Sequence, residues 1–178
     1  MKNVIICGDG GSKVLTRTVV RACEAYGGAF VYDGAKIYET NDDPSYMVLG
    51  VGGISEVTCG GIIVFGRSPV RGAANFDTGS LIAVVDGENT RALSVLLNSG
   101  KPAIGCSMSA HDTLSISGGE GNVRQLCLSR SVTTLDGHII EPCEFPVTIQ
   151  AGTPIYPILA AACILLLSGI DCSEGYCF

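Results

Sequence analysis

The stretch from Val4 to Thr16 constrains the fold of this chain most. An apolar run, Val4–Cys7, leads into a glycine-rich turn, and Lys13 follows at the start of a helical pattern. Strand, glycine turn and helix together build a phosphate-binding loop, because backbone N–H groups of the turn face an anion and the helix N-terminus adds partial positive charge. A lysine at this place reaches the outer phosphates. We therefore expect a nucleotide or another small anionic ligand to bind Gly8, Asp9, Gly10, Gly11, Ser12 and Lys13.

The loop departs from the G-x-x-x-x-G-K-[ST] pattern at two places. Ser12 stands before Lys13 where the pattern has glycine, and Val14 stands after it where a hydroxyl normally holds magnesium. Thr16 and Ser12 are the hydroxyl candidates that could replace it, although neither is at the usual position. The alternative is a glycine-rich turn that only connects a strand to a helix.

Apolar runs and glycine turns predict a mainly parallel sheet with flanking helices, an α/β fold. The helix that begins at Lys13 is expected to end at Tyr26, before Gly27-Gly28, and a second is expected over Glu88–Asn98. Asp33-Gly34 predicts a two-residue hairpin. The expected strands are Asn3–Cys7, Ala29–Tyr32, Ala35–Tyr38, Tyr46–Val51, Gly61–Phe65, Leu81–Val85 and Ala103–Cys106.

After Ser107 the pattern changes to short alternating strands, which predict an antiparallel patch in residues 113–149. A hairpin turn is expected at Leu135–His138. The expected strands here are Thr113–Ile116, Val123–Leu128, Val132–Leu135, His138–Ile140 and Phe145–Ile149. A helix over Ile158–Leu167 is apolar nearly all round and shorter than the ~20 residues that span a bilayer, so we expect it to be buried.

Length and charge limit the classes of function. The 178 residues suit one domain over 1–178, and the net charge of −6 without a basic block argues against nucleic acid as a partner. No membrane partner is expected either. None of the nine cysteines forms a C-x-x-C pair, and the N-terminus lacks a signal-peptide apolar region, so a cytoplasmic location is predicted. Cys172 and Cys177 could pair or bind a metal, although their spacing fits no standard zinc site.

The order of segments resembles the central ATPase domain of Mur ligases, enzymes that add amino acids to peptidoglycan precursors; folate-polyglutamate synthetases share that domain. The family loop Gly-Thr-Asn-Gly-Lys-Thr-Thr is similar to Gly8–Val14. In the family, a strand ends in an Asn-x-Asp-Asp-Pro-like turn before a helix. After this helix come another strand, an antiparallel patch, a glycine and an alanine-rich helix that ends in Leu-Gly-Ile. The corresponding segments here are Ala83–Asn89, Ala103–Ser109, Gly152, Leu159–Cys163 and Leu167–Ile170.

The resemblance implies binding of ATP and Mg²⁺ but not a complete active site. The family's magnesium glutamate corresponds best to Glu56, for which the alternative is a solvated loop residue. The family's histidine-rich segment has no counterpart, because the only histidines, His111 and His138, come later. Thr153–Pro157 replaces the family's His-Asn pair, and both flanking domains of the family are missing.

Three further positions are candidates, each with an alternative. The resemblance places Asp86 and Asn89 on the adenine side of a nucleotide, but both residue types also favour a helix N-cap. Arg67 follows a strand and could pair with an anion, or it could be a surface arginine. His111-Asp112 could transfer a proton, although no motif ties a nucleophile to it.

Three functions remain open from the sequence. The first is a Mur-ligase-like nucleotide-binding domain that lacks complete ligase activity and acts as a pseudoenzyme or regulatory module. The second is an ATP-dependent ligase or ATPase subunit that works with a partner protein. The third is a structural or assembly protein without a nucleotide, whose apolar final helix would form a homo-oligomer interface.

Overall fold

The computed structural model describes residues 1–8, 13–52, 54, 56–66, 80–100 and 103–178. The helices are α1 (Lys13–Ala25), α2 (Thr90–Ser99) and α3 (Ile155–Leu167). The strands are β1 (Lys2–Cys7), β2 (Ala29–Tyr32), β3 (Ile37–Glu39), β4 (Tyr46–Val51), β5 (Gly61–Phe65), β6 (Leu81–Asp86), β7 (Ala103–Ser107), β8 (Leu114–Gly118), β9 (Val123–Leu128), β10 (Val132–Thr133), β11 (Ile139–Ile140), β12 (Cys143–Thr148) and β13 (Tyr176–Cys177).

Eleven of these strands form one sheet in the order β13-β12-β9-β8-β7-β6-β5-β1-β4-β2-β3. From β8 to β2 all neighbours are parallel, whereas β3 at one end and β9 and β12 towards the other are antiparallel to the strands before them. This confirms the predicted mainly parallel sheet with an antiparallel patch in residues 113–149. Most of the patch continues the main sheet, and β10 and β11 form a separate two-stranded ladder.

Helices cover both faces of the parallel sheet. Successive residues of a strand point to opposite faces, and β1 shows this clearly. Val4 and Ile6 belong to the larger apolar core together with α1 and α3. Ile5 and Cys7 belong to the smaller core on the other face, which Ala92 and Leu96 of α2 complete. Strands buried on both faces explain the continuous apolar runs in the sequence.

Helix α3 is buried along nearly its whole length, with every residue from Tyr156 to Leu167 buried. This confirms the prediction of a buried helix, which begins at Ile155 rather than at Ile158. Pro157 is tolerated because it lies in the first turn, where backbone N–H groups have no partner within the helix. The helix packs against α1 and the strands beneath it, so its apolar surface is used inside the fold and does not support the expected oligomer interface.

Two local predictions were wrong. The β2–β3 hairpin turns through residues 33–36 and not through two residues, because the Asp33 carboxylate accepts hydrogen bonds from the backbone N–H groups of Ala35 (3.0 Å) and Lys36 (2.8 Å). Helix α2 begins at Thr90 rather than at Glu88, because the side chain of Asn89 caps it. The hairpin turn at Leu135–His138 is confirmed, with Gly137 in the left-handed region.

No helix in the described ranges is long and apolar enough to cross a membrane.

Candidate functional site

The carboxyl ends of β1, β5, β6 and β7 lie at one edge of the sheet, because these neighbouring strands run parallel. The chain passes from β1 through α1 to β2 on one side of β1, whereas β5, β6 and β7 follow one another on the other side. Strand order therefore reverses at β1. In open α/β sheets ligands bind outside the carboxyl ends of strands at such a reversal. The predicted phosphate loop connects β1 to α1 at this place.

Backbone hydrogen bonds hold the start of that loop between two neighbouring strands. The N–H of Gly8 donates to the carbonyl of Val51 at 3.2 Å, and the N–H of Gly66 donates to the carbonyl of Cys7 at 2.8 Å. Gly8 has a φ of 88°, a conformation that favours glycine. Burial raises the pKa of the Cys7 thiol to about 11, so this side chain is neutral at the end of β1.

Several predicted site residues lie outside the described residues, namely Asp9, Gly10, Gly11, Ser12 and Arg67. Lys13 is the first residue of α1. Thr16 is half-buried in the first turns of α1, and Glu56 is exposed. Their proposed contacts with nucleotide and magnesium remain predictions.

Asn89 uses both ends of its side-chain amide. Its Oδ1 accepts from the backbone N–H of Ala92 at 3.1 Å, which caps α2, and its Nδ2 donates to the carbonyl of Gly66 at 2.8 Å. Asp86 is buried, and its carboxylate accepts from the backbone N–H of Glu88 at 3.1 Å. The capping alternative therefore describes Asn89, which also ties the end of β5 to the start of α2. Adenine contacts by Asp86 and Asn89 stay predictions.

The side chain of Tyr156, in α3, contacts the carboxyl edge of the sheet. Its hydroxyl donates to the carbonyl of Phe65, the last residue of β5, at 2.6 Å. Burial raises the pKa of this phenol well above its usual range, so it remains a hydrogen-bond donor. Tyr156 lies in the segment where the resembling family has a His-Asn pair, and the bond fixes the carboxyl end of β5.

A carboxylate that sequence reasoning did not place in the site lies against the ends of β6 and β7. Asp112 accepts a hydrogen bond from the buried hydroxyl of Ser107, which in turn accepts from the backbone N–H of Ser109 at 2.9 Å. A Cβ added at Gly87 or at Gly105 would collide with the Asp112 carboxylate. Gly87, just after β6, and Gly105, in the middle of β7, were the signal in the sequence, since they leave room for a side chain above the sheet.

The proposed proton-transfer pair His111-Asp112 gains no support from this geometry. His111 is exposed, and its backbone carbonyl accepts from Nη2 of Arg130 at 3.1 Å. The Asp112 carboxylate bonds to Ser107 instead.

An open cleft of about 1260 Å³ lies beside the start of α1. One wall is the exposed face of α1, including Thr16, Arg17 and Arg21, and the opposite wall is the β2–β3 hairpin, including Tyr32 and Lys36. The cleft reaches Gly52, which follows β4 at the carboxyl edge of the sheet. It provides space for a ligand beside α1.

The described residues supply no complete metal-binding set. No three histidine, cysteine, aspartate or glutamate side chains come together in the parts of the chain that the structure describes.

The class is an α/β domain with a mainly parallel sheet, whose strand order reverses at β1. A solved structure with a similar fold is a UDP-N-acetylmuramoyl-L-alanyl-D-glutamate–2,6-diaminopimelate ligase, with a TM-score of 0.59 and 10% identity. The match covers 96% of this chain and 44% of that ligase, so the chain spans less than half of the ligase's length. No protein-family model matches the sequence, and no curated protein matches it. The likeness therefore concerns the fold.

Proposed function

We propose that this protein is a Mur-ligase-like nucleotide-binding domain that binds ATP at the Gly8–Lys13 loop and lacks complete ligase activity. The observation that supports it most is the position of this loop. It connects β1 to α1 where the strand order reverses, in a fold similar to that of a ligase. Nucleotide phosphates would occupy the loop and the N-terminus of α1.

The proposal also explains why the carboxyl edge is so firmly held. Asn89 ties Gly66 to α2, and Tyr156 ties Phe65 to α3, so helices on both faces fix the end of the strand next to β1. A rigid edge keeps a binding loop in place and lowers the entropy that a ligand must overcome. The missing hydroxyl at Val14 weakens magnesium binding, and we propose that hydrolysis is lost for that reason.

Calorimetry with ATP, ADP and AMP, each with Mg²⁺, tests the proposal. We expect ATP to bind, and Lys13→Ala to weaken it by about tenfold or more, because a charge-assisted hydrogen bond contributes about 1.5–3 kcal/mol. Arg124→Ala is the matched control, since it also removes one positive charge but lies on β9. Its guanidinium bonds there to the carbonyls of Gly121 and Val123. Absence of binding by all three nucleotides at millimolar concentration refutes the proposal.

A second candidate is an ATP-dependent ligase or ATPase subunit that works with a partner protein. The observation that favours it is that more than half of the similar ligase has no counterpart in this chain, since the match covers 44% of it. Phosphate release measured with and without candidate partners distinguishes the two. A regulatory module binds ATP without releasing phosphate, whereas a subunit releases phosphate when its partner is added.

A further inference from the structure

Two cysteines that the nucleotide site does not use lie side by side at the other end of the sheet. The Sγ atoms of Cys143 and Cys172 are 3.9 Å apart, although the residues are 29 positions apart in the chain. Cys143 begins β12, and Cys172 lies in the connection from α3 to β13. Both side chains are half-buried, so a small reagent can reach them.

A turn before β13 places Cys172 beside the start of β12. The N–H of Gly175 donates to the carbonyl of Cys172 at 2.9 Å across this turn. Strand β13 then runs parallel to β12, with Val147 opposite Tyr176.

Aromatic contacts hold β13 in place on the other side. The ring of Tyr176 packs edge-to-face against Phe145 and Tyr26, with centroids 5.4 and 5.5 Å apart. The backbone N–H of Cys177 donates to the hydroxyl of Tyr26 at 2.9 Å. The terminal segment therefore connects β12 with the residue that follows α1, and Cys172 lies at the start of this segment.

We propose that Cys143 and Cys172 are a redox-active pair that forms a disulfide with a low-molecular-weight disulfide as oxidant. One cysteine thiolate attacks the small disulfide, which forms a mixed disulfide and releases one small thiol. The second cysteine attacks the protein sulfur of that mixed disulfide and releases the other small thiol. Two protein thiols become one cystine, and the small disulfide becomes two thiols.

Burial and the neighbouring Cys143 raise the pKa of Cys172 to about 11, so the fraction of Cys172 that is thiolate near neutral pH is very small. Whichever cysteine attacks first, the other acts as the resolving thiol. The new bond would fasten the terminal segment to β12 and stabilise the fold by restricting the unfolded chain.

A second cysteine pair in the same protein provides an internal control. Cys106 on β7 and Cys163 on α3 are in side-chain contact, but both are buried in the core. In both pairs the two cysteine side chains are in contact, but only Cys143 and Cys172 are accessible to a small reagent in solution. We expect the native protein to oxidise Cys143 and Cys172 and to leave Cys106 and Cys163 as thiols.

The test is incubation of the reduced full chain with oxidised glutathione, followed by alkylation and peptide mapping under conditions where circular dichroism shows the native fold. Cleavage before aspartate and after glutamate, except where proline follows, leaves Cys143 in residues 136–144 and Cys172 in residues 171–174, each without another cysteine. We expect these two peptides to be linked, to separate on reduction, and to be unlinked in Cys143→Ser and Cys172→Ser. The thermal midpoint should rise on oxidation of the wild type only.

The sequence also left Cys177 open as a partner of Cys172, and the same map decides between them. A link from residues 171–174 to residues 175–178 overturns the proposal. So does the recovery of Cys143 and Cys172 as thiols or as separate glutathione adducts while the exposed Cys59 is modified. Neither result depends on nucleotide binding, so it leaves the proposed function unaffected.

Discussion

The hydroxyl of Tyr156 donates to the backbone carbonyl of Phe65 at 2.6 Å, across 91 positions of the chain. The bond joins the first turn of α3 to the last residue of β5, next to the strand that carries the predicted phosphate loop. Helix α3 thereby holds the carboxyl edge of the sheet in addition to filling the core.

Tyr156→Phe removes only the oxygen of this bond. We expect a loss of about 1–2 kcal/mol in the free energy of unfolding, the usual range for a buried hydrogen bond. Chemical denaturation measures the loss. Tyr32→Phe is the control, since it deletes the hydroxyl of a less buried tyrosine on β2. An equal loss of unfolding free energy in both variants would contradict a specific stabilisation by the Tyr156–Phe65 hydrogen bond.

Strands bounded by glycine were predictable from the sequence. The bounds of β2, β4, β5 and β9 agree with expectation, because apolar runs end there at turn residues. Strand β13 was not predicted. It has only two residues, Tyr176 and Cys177, and it is a strand because β12 lies beside it, which no local pattern reveals.

The contacts around the candidate site could not be predicted from the sequence. Asn89 could be recognised as a capping residue type, but its bond to Gly66 depends on β5 and β6 being neighbours. The position of Asp112 depends on the ends of β6 and β7 being side by side. Such contacts join residues far apart in the sequence, and motif spacing does not contain them.

The two bonds of Asn89 can be separated by substitution. Asn89→Ala loses both the cap of α2 and the bond to Gly66, and we expect it to cost about 1–2 kcal/mol of unfolding free energy. Asn89→Asp keeps an acceptor for the Ala92 N–H but has no donor for the Gly66 carbonyl. We expect its stability to be intermediate in denaturant titrations.

The same variants test whether Asn89 also contacts a nucleotide. If Asn89 only caps α2 and bonds to Gly66, we expect the nucleotide affinity of Asn89→Asp to stay within about twofold of the wild type, since the other contacts around the site remain. A much larger loss of affinity with little loss of stability would indicate direct contact with the base.

The Asp112 carboxylate and the glycines beneath it should be energetically coupled. Gly87→Ala places a Cβ against this carboxylate, and we expect a cost of about 1–3 kcal/mol from overpacking. In an Asp112→Ala background the obstacle is absent, and Gly87→Ala should cost much less. Unfolding of the two single variants and the double variant measures the coupling, and strictly additive costs would contradict it.

Gly100→Ala is the control, because an added Cβ at this position would contact no other atom of the described residues. A Cβ there has open space within 4 Å, but its φ of 65° strains any other residue. Its cost should be the same with Asp112 or Ala at position 112.

Because Cys23 is buried, we predict that the free energy of unfolding decreases at alkaline pH. Burial raises the pKa of its thiol to about 12 from an ordinary value of 9.0. The folded protein keeps the proton while the unfolded chain releases it, so the contribution is fully present below pH 9 and is lost as the pH rises towards 12. One pH unit above the ordinary value corresponds to about 1.4 kcal/mol. We therefore expect the free energy of unfolding of Cys23→Ala to fall by about 1.4 kcal/mol less than that of the wild type between pH 8 and pH 10, as measured by urea titrations.

Cys177→Ala is the control. It removes an exposed thiol and should retain the wild-type pH dependence. Equal pH dependence in all three proteins would show that Cys23 is not the titrating group.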